Sequence, residues 1–492
     1  MKAEFSILNF DGQTFNHVLR RVLVVTCALT ALVASSVTLP PTSAIAAAST
    51  AVLPPDARVE GLWYLDAIGV PAARTSGLTG KGVRIAVVDT GINLNASELR
   101  GANIKVHDGY CVSQDTGAPF PGNSTDPSIS AHGTSVTAML VGNGQAVDGG
   151  KGTVGVVPDA QVDFYAVGPL VTEDQKLNGW NSVCPTTKAK DGAFSGDSWE
   201  AAFAAAVASG ADIVSVSLSG QLVTFRDQLA KAASRGVTVV ASIPNPGDAS
   251  VGVGSFPAAG NGSVAVNAVG SDLKIIGESA KSVPELPNAL NSMGVTAPGV
   301  NILSIGTDGK PKLESGTSAA APLVAGVLAL ASEKFPDASQ NQLLQALIHS
   351  TDNGSRNGKL SWDRYFGYGI VSIPALLESN PTSYPDENPL FADSPSDPRC
   401  KAEDMKLQPK SMDDCAWAKT PTTEEVRSAG LALNTPGSSV GTESPEAESN
   451  DVVVIALVVT VGALLIAGAV LAMVLASRRR HRRSDERNVN AL

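Results

Sequence analysis

Between residues 81 and 377 short apolar runs alternate with helical patterns, and this alternation constrains the chain more than any other feature. Residues 83–88, 213–218, 237–240 and 264–266 are rich in Val and Ile and read as strands. Residues 199–209, 225–235 and 318–334 carry longer apolar patterns of helical period. Strand and helix in repetition require crossover connections, hence an α/β fold with a mostly parallel sheet covered on both faces. Such a sheet places its chemistry beyond the carboxyl ends of its strands, so the polar residues that follow apolar runs are the ones to inspect.

The two ends carry topology rather than core. After Arg20 and Arg21, residues 22–37 are uncharged, and Pro40, Pro41 and Ser43-Ala44-Ile45-Ala46 follow. That is the pattern of a signal peptide cut after Ala46. Residues 452–476 are 25 uncharged, strongly apolar residues, enough as a single helix to exceed a hydrocarbon layer of about 30 Å. Arg478, Arg479, Arg480, Arg482 and Arg483 come next and predict a tail on the cytoplasmic side, with the bulk of the chain outside the cell membrane. The formal charge of −11, less +1 for residues 1–46 and +4 for residues 477–492, leaves −16 for everything between. Nucleic-acid binding needs clustered Lys and Arg, so that acidic middle argues against it.

Once Cys27 leaves with the signal, Cys111, Cys184, Cys400 and Cys415 remain, an even number in an oxidising compartment. Three pairings are open to four cysteines. Cys400 and Cys415 are neighbours in a Pro-rich stretch, which favours pairing them together and Cys111 with Cys184. The spacing does not resemble a zinc site, and no metal site is expected. Residues 113–130 and 172–195 are rich in turn-forming residues and read as surface loops. Beyond residue 379 Pro, Ser, Asp and Glu dominate and periodic apolar pattern fades, which predicts a stalk reaching on the order of 30 Å beyond Cys415. The expected organisation is a signal peptide (1–46), an N-terminal extension (47–79), a folded domain (80–378), a stalk (379–451), one membrane helix (452–476) and a basic tail (477–492).

Three polar positions stand out in the folded part. Asp89 ends the run Ile85-Ala86-Val87-Val88, where a carboxylate can orient an imidazole, although Asp before Thr-Gly can also simply close a strand. Of the histidines, His17 falls in the signal and His481 in the tail. His107 lies among loop-like residues and His349 ends an amphipathic pattern, whereas His132 opens an apolar helix in His132-Gly133-Thr134-Ser135. Ser318, in Ser315-Gly316-Thr317-Ser318-Ala319-Ala320-Ala321-Pro322, stands at the start of a long small-residue helix. Its own backbone N–H there faces outward and the helix dipole favours negative charge, although a serine in this place can be a mere cap.

Asp89, His132 and Ser318 follow one another in the chain order known for subtilisin, and the motifs around them resemble the subtilisin family of serine proteases. The likeness runs from about Trp63 to Leu377 and includes Val324-Ala325-Gly326. It implies the subtilisin-like three-layer fold, a serine endopeptidase acting on protein or peptide substrates, and no cofactor. It also implies an oxyanion-stabilising Asn, which an ungapped alignment of Gly236-Val237-Thr238-Val239-Val240-Ala241 lands on Asn245. Pro244 and Pro246 flank that Asn where the family usually has Gly before it, so the loop geometry is expected to differ. By the same resemblance Ser217-Leu218-Ser219 and Ser242-Ile243-Pro244 line the first substrate pocket. Ser219 and Pro244 stand where Gly is common, and a narrow pocket for a small residue before the cut is expected.

Taken together, the signal, insertions, Pro-rich stalk, C-terminal helix and basic tail resemble mycosins, the membrane-anchored subtilases of actinobacterial type VII secretion systems. That likeness implies a single-pass protein of the cell membrane, associated with a secretion membrane complex. The stretch between Ala46 and Lys81 is too short for an inhibitory folding domain and is expected to wrap the catalytic domain. An alternative is a structural partner of the secretion complex whose protease activity is dispensable.

Overall fold

The computed structural model describes residues 53–110, 119–168, 198–219, 225–246, 256–277, 292–352, 360–391 and 421–433. The expected signal peptide, the loop at 172–195, the four cysteines Cys111, Cys184, Cys400 and Cys415, the apolar run 452–476 and the basic tail lie outside the described residues. Among the described residues no helix is long and apolar enough to cross a membrane.

Three short helices come first, α1 (Pro55–Glu60), α2 (Trp63–Ile68) and α3 (Val70–Thr75). Strands β1 (Arg84–Asp89) and β2 (Ile104–His107) follow, then helix α4 (Pro127–Val141). A small hairpin, β3 (Asn143–Gln145) and β4 (Lys151–Val154), leads to β5 (Gln161–Ala166). The alternation continues with α5 (Ser198–Ala208), β6 (Ile213–Val216), α6 (Phe225–Ser234), β7 (Thr238–Ser242), β8 (Val264–Val269) and β9 (Met293–Pro298). A second hairpin, β10 (Ile302–Ile305) and β11 (Pro311–Glu314), runs into α7 (Thr317–Lys334), α8 (Gln340–His349) and α9 (Ile373–Leu377). The last described element is α10 (Thr423–Leu433).

Seven strands form one sheet in the order β2-β5-β1-β6-β7-β8-β9, and every pairing in it is parallel. Side chains alternate between its faces. From β1, Ile85 and Val87 join the core shared with α4 and α7, while Ala86 and Val88 join the core shared with α5 and α6. The result is three layers, helices on both faces of a parallel sheet. Helix α7 is buried almost throughout because its side chains are small and apolar; a Cβ on Gly326 would come within 2.8 Å of Val156, so that glycine sets how closely the helix lies to the loop after β4.

The four strands read from apolar runs are present, but β2, β5 and β9 were not legible as strands. In β5 the apolar run is interrupted by Asp163, which is buried and accepts from Arg84 at 3.0 Å. The stretch expected as a loop up to residue 130 already turns helical at Pro127. Asp126 caps it by accepting from Ser128 N at 2.9 Å, and proline at the first turn forfeits no hydrogen bond.

Both flanking segments pack against the folded domain. In the N-terminal extension, Tyr64 is fully buried and donates to Val154 O at 2.6 Å, and Gly61 O accepts from Leu303 N at 2.7 Å. Arg58 holds Asp148 through both nitrogens of its fork, at 2.9 and 2.5 Å, and keeps that carboxyl well below the usual carboxylate range. Within the stretch expected as a stalk, Leu390 is buried and Asn388 donates to Gly262 O at 2.9 Å. Further on, Asn261 donates to Pro421 O at 2.9 Å and Arg226 pairs with Glu425, which seats α10 on α6. A stalk therefore does not begin at residue 379. A few well-placed anchors are enough for docking, and they leave little periodic signal.

Candidate active site

Asp89 is the last residue of β1 and is completely buried. Its Oδ1 accepts from Thr90 N at 2.8 Å and from His132 Nδ1 at 2.8 Å. A carboxylate can only accept, so the proton of the His132 ring sits on Nδ1 and Nε2 is left as the basic nitrogen. The other oxygen, Oδ2, is buried without a hydrogen-bond partner among the described residues. The negative charge of Asp89 favours a positive imidazolium beside it.

His132 lies in the second turn of α4. Gly133 brings that turn against the end of β1: a Cβ there would stand 2.2 Å from Gly91 O and 2.7 Å from the Phe164 ring, so no side chain is possible without pushing the ring away from Asp89. About a third of the His132 side chain is exposed. Burial opposes its charged form, but the charge and hydrogen bond of Asp89, helped by Glu314 and opposed by Lys312, hold its pKa above that of an ordinary imidazole.

Ser318 is the second residue of α7. Its hydroxyl donates to Ser217 O at 3.1 Å, and its own carbonyl accepts from Ser217 Oγ at 2.7 Å. The preceding residue, Thr317, joins this helix start to the end of β7: Thr317 Oγ1 donates to Ile243 O at 2.5 Å. Asn245 Oδ1 accepts from Thr317 N at 2.9 Å and lies 3.2 Å from Thr317 Oγ1, whose proton goes to Ile243 O. With its oxygen held by the Thr317 N–H, the Asn245 amide has a set orientation, its Nδ2 end turned away from Thr317. The prolines on either side of Asn245 do not prevent this.

Of the expected pocket residues, Ser217, Leu218, Ser242, Ile243 and Pro244 are buried and Ser219 is half-buried. Leu218 and Ile243 pack into the core that α5 and α6 share with the sheet. Ser219 Oγ donates to Ser242 O at 3.4 Å and bridges the two segments at the ends of β6 and β7. His107 stacks on Tyr165 and faces Asp163, and His349 stacks on Tyr384; neither approaches Asp89 by hydrogen bond among the described residues.

A cluster missed in the sequence lies on the other side of His132. One turn after it, Ser135 Oγ donates to Ser304 Oγ at 2.5 Å, Ser304 Oγ donates to Glu314 Oε2 at 2.8 Å, and Ser135 Oγ itself lies 3.2 Å from that carboxylate oxygen. Lys312 Nζ donates to Glu314 Oε1 at 3.2 Å. The alternation Lys312-Leu313-Glu314 just before Gly316-Thr317-Ser318 was the available signal. Among the described residues no group of three or more His, Cys, Asp or Glu side chains could hold a metal ion.

The chain is 30% identical to fervidolysin of Fervidobacterium pennivorans over 342 residues, 64% of this chain and 44% of the relative, so it spans less than half of that protein. It is 28% identical to subtilisin E of Bacillus subtilis (strain 168) over 316 residues, 63% of this chain and 70% of the relative. Among solved structures, MycP1 with its N-terminal propeptide removed aligns at 20% identity with a TM-score of 0.45, covering 66% of this chain and 99% of that one. Residues 80–369 match the subtilase family as a whole, and the chain belongs to that family of serine endopeptidases.

Proposed function

We propose that this protein is a membrane-anchored, extracytoplasmic serine endopeptidase that processes exported proteins and is of the mycosin kind, working with a type VII secretion complex. The observation that carries the catalytic part is the 2.8 Å contact between His132 Nδ1 and Asp89 Oδ1, which leaves Nε2 as a base. Anchoring and the secretion role rest on the sequence at the two ends: the signal-like start, and the apolar run 452–476 followed by arginines.

In this reading the Ser318 side chain turns from Ser217 O toward His132 Nε2 when substrate binds. Its oxygen attacks the scissile carbonyl as His132 takes the proton, and Asp89 stabilises the imidazolium that forms. The carbonyl oxygen becomes an oxyanion held by the Ser318 N–H, at the positive end of α7, and by Asn245 Nδ2. His132 then passes its proton to the leaving amine, the acyl-enzyme forms, and water repeats the sequence in reverse roles. The first pocket lies at the ends of β6 and β7 around Ser219 and favours a small residue before the cut.

A fluorophosphonate probe that reacts with activated serines tests the site. Labelling of the wild-type protein and none of Ser318→Ala is expected; equal labelling of both overturns it. Comparing the termini of exported proteins from cells carrying wild-type and Ser318→Ala protein tests the biological part. Unchanged termini in every exported protein would refute a processing role.

A further inference from the structure

The last described helix, α10, fixes the side on which the chain leaves the folded domain. Its start is capped: Thr422 N donates to Glu425 Oε2 at 2.7 Å and Glu425 N to Thr422 Oγ1 at 3.3 Å. The other oxygen of Glu425 pairs with Arg226 at the start of α6. At the far end Gly430 packs on Ser234, the last residue of α6, where a Cβ would stand 3.6 Å from that of the serine. Start lies on start and end on end, so α10 runs in the same direction as α6.

Topology sets that direction. α6 connects β6 to β7, which are parallel, so it returns from the carboxyl edge of the sheet to the amino edge. Gly430 accordingly borders a cavity of about 500 Å³ with Gly210, Asp212, Arg235 and Gly236, residues that precede β6 and β7. Asp89, Ser217 and Asn245 stand at the opposite edge, where β1, β6 and β7 end. The length of β1 puts about 20 Å between the two edges. The chain therefore leaves α10 on the side of the domain away from the catalytic residues.

Between Leu433 and the apolar run that opens at Val452 there are 18 residues, rich in Ser, Gly, Pro and Glu. A chain of that length and composition averages on the order of 25 Å end to end. Turning the catalytic edge toward a bilayer would draw it back along the full height of the sheet and remove most of its conformational freedom.

We propose that the amino edge of the sheet, with the ends of α5, α6 and α10, faces the membrane, and that the catalytic cleft opens away from it, on the order of 40 Å out. The inference rests on the membrane-anchored reading of residues 452–476 and names the substrate class. Exported chains free in the extracytoplasmic space are within reach, whereas bonds beside the membrane segment of another protein are not.

The test uses the full-length protein in phosphatidylcholine–phosphatidylglycerol vesicles whose lipids carry a short-range energy-transfer acceptor. A donor dye is attached through an azide-bearing residue placed at Lys81, exposed before β1, or at Ser271, exposed after β8. Urea unfolding unchanged from wild type shows that both variants fold. Transfer from Lys81 is expected to exceed that from Ser271 several-fold. Equal transfer, or stronger transfer from Ser271, overturns the orientation and leaves the anchor standing. A protein that fails to float with the vesicles overturns the anchor and the orientation with it.

A peptide that the protein cleaves in solution, anchored by a lipid in the same vesicles, gives the functional arm. A spacer of about five residues reaches at most ~17 Å, and one of about sixty averages on the order of 40 Å. Cleavage on the short spacer is expected to be slower on the order of tenfold; equal rates overturn the substrate class. Absence of cleavage in solution overturns the protease reading and the substrate class with it, while the dyes still decide the orientation.

Discussion

Ser217 and Ser318 exchange hydrogen bonds: each hydroxyl donates to the other residue's carbonyl, at 2.7 Å from Ser217 and 3.1 Å from Ser318. Pro322 explains one of them. In a regular helix the N–H four residues on would bond Ser318 O, and proline has none. The Ser217 hydroxyl takes its place, so the end of β6 secures the first turn of α7 where the nucleophile sits. Ser217→Ala leaves the Ser318 carbonyl without this donor and should lower stability by about 1–3 kcal/mol, together with a fall in kcat as the helix start loosens. Urea unfolding and steady-state kinetics read both, and an unchanged midpoint would contradict this role.

Asn245 is held by its oxygen, and the proposed function of the amide lies at its nitrogen. Asn245→Ala should reduce kcat by ~10²–10³, the size of effect that removing the corresponding donor has in a subtilisin, with little change in KM. A loss confined to KM would place the residue in ground-state binding instead.

Glu314 adds negative charge beside His132 and helps to hold its pKa up. His132 must be neutral to act as a base, so the acid limb of kcat/KM reports this pKa. Glu314→Gln removes a charge that favours imidazolium, which lowers the pKa and moves the acid limb to lower pH. Glu314 is partly exposed, so added salt should shrink the difference between the two proteins. A limb that stays put or moves upward would contradict the assignment.

Ser219 is the one member of its pocket set that is not fully buried. Ser219→Gly removes the bridge to Ser242 and makes room, and kcat/KM for peptides with a large residue before the cut should rise relative to small ones, on the order of tenfold. A set of otherwise identical peptides varied at that single residue measures it; an unaltered preference would show that Ser219 does not narrow the pocket.

Much of the fold was readable because strands buried on both faces write themselves as continuous apolar runs. β1, β6, β7 and β8 have that form. β5 does not, because Asp163 interrupts it and is offset by Arg84, a partner 79 positions away. β2 is only partly buried, which leaves a weak pattern. The docking of α10 on α6 rests on a few contacts made by Asn261, Arg226 and Glu425, and such contacts have no period to detect.

The sequence by itself determined which residues could do chemistry: an acidic group after a strand, one histidine opening a helix, and a serine starting another, each legible from its immediate neighbours. Only the tertiary structure decided their relations, because Asp89 and His132 are 43 positions apart and meet through a glycine crossing that leaves no room for a Cβ. It also turned most of the expected pocket side chains inward and gathered Ser135, Ser304 and Glu314 beside the imidazole. Local pattern reports which face of a strand or helix is buried. Which distant hydroxyl or carboxylate lies across from that face depends on sheet order and helix packing, and those follow from the collapse of the whole chain.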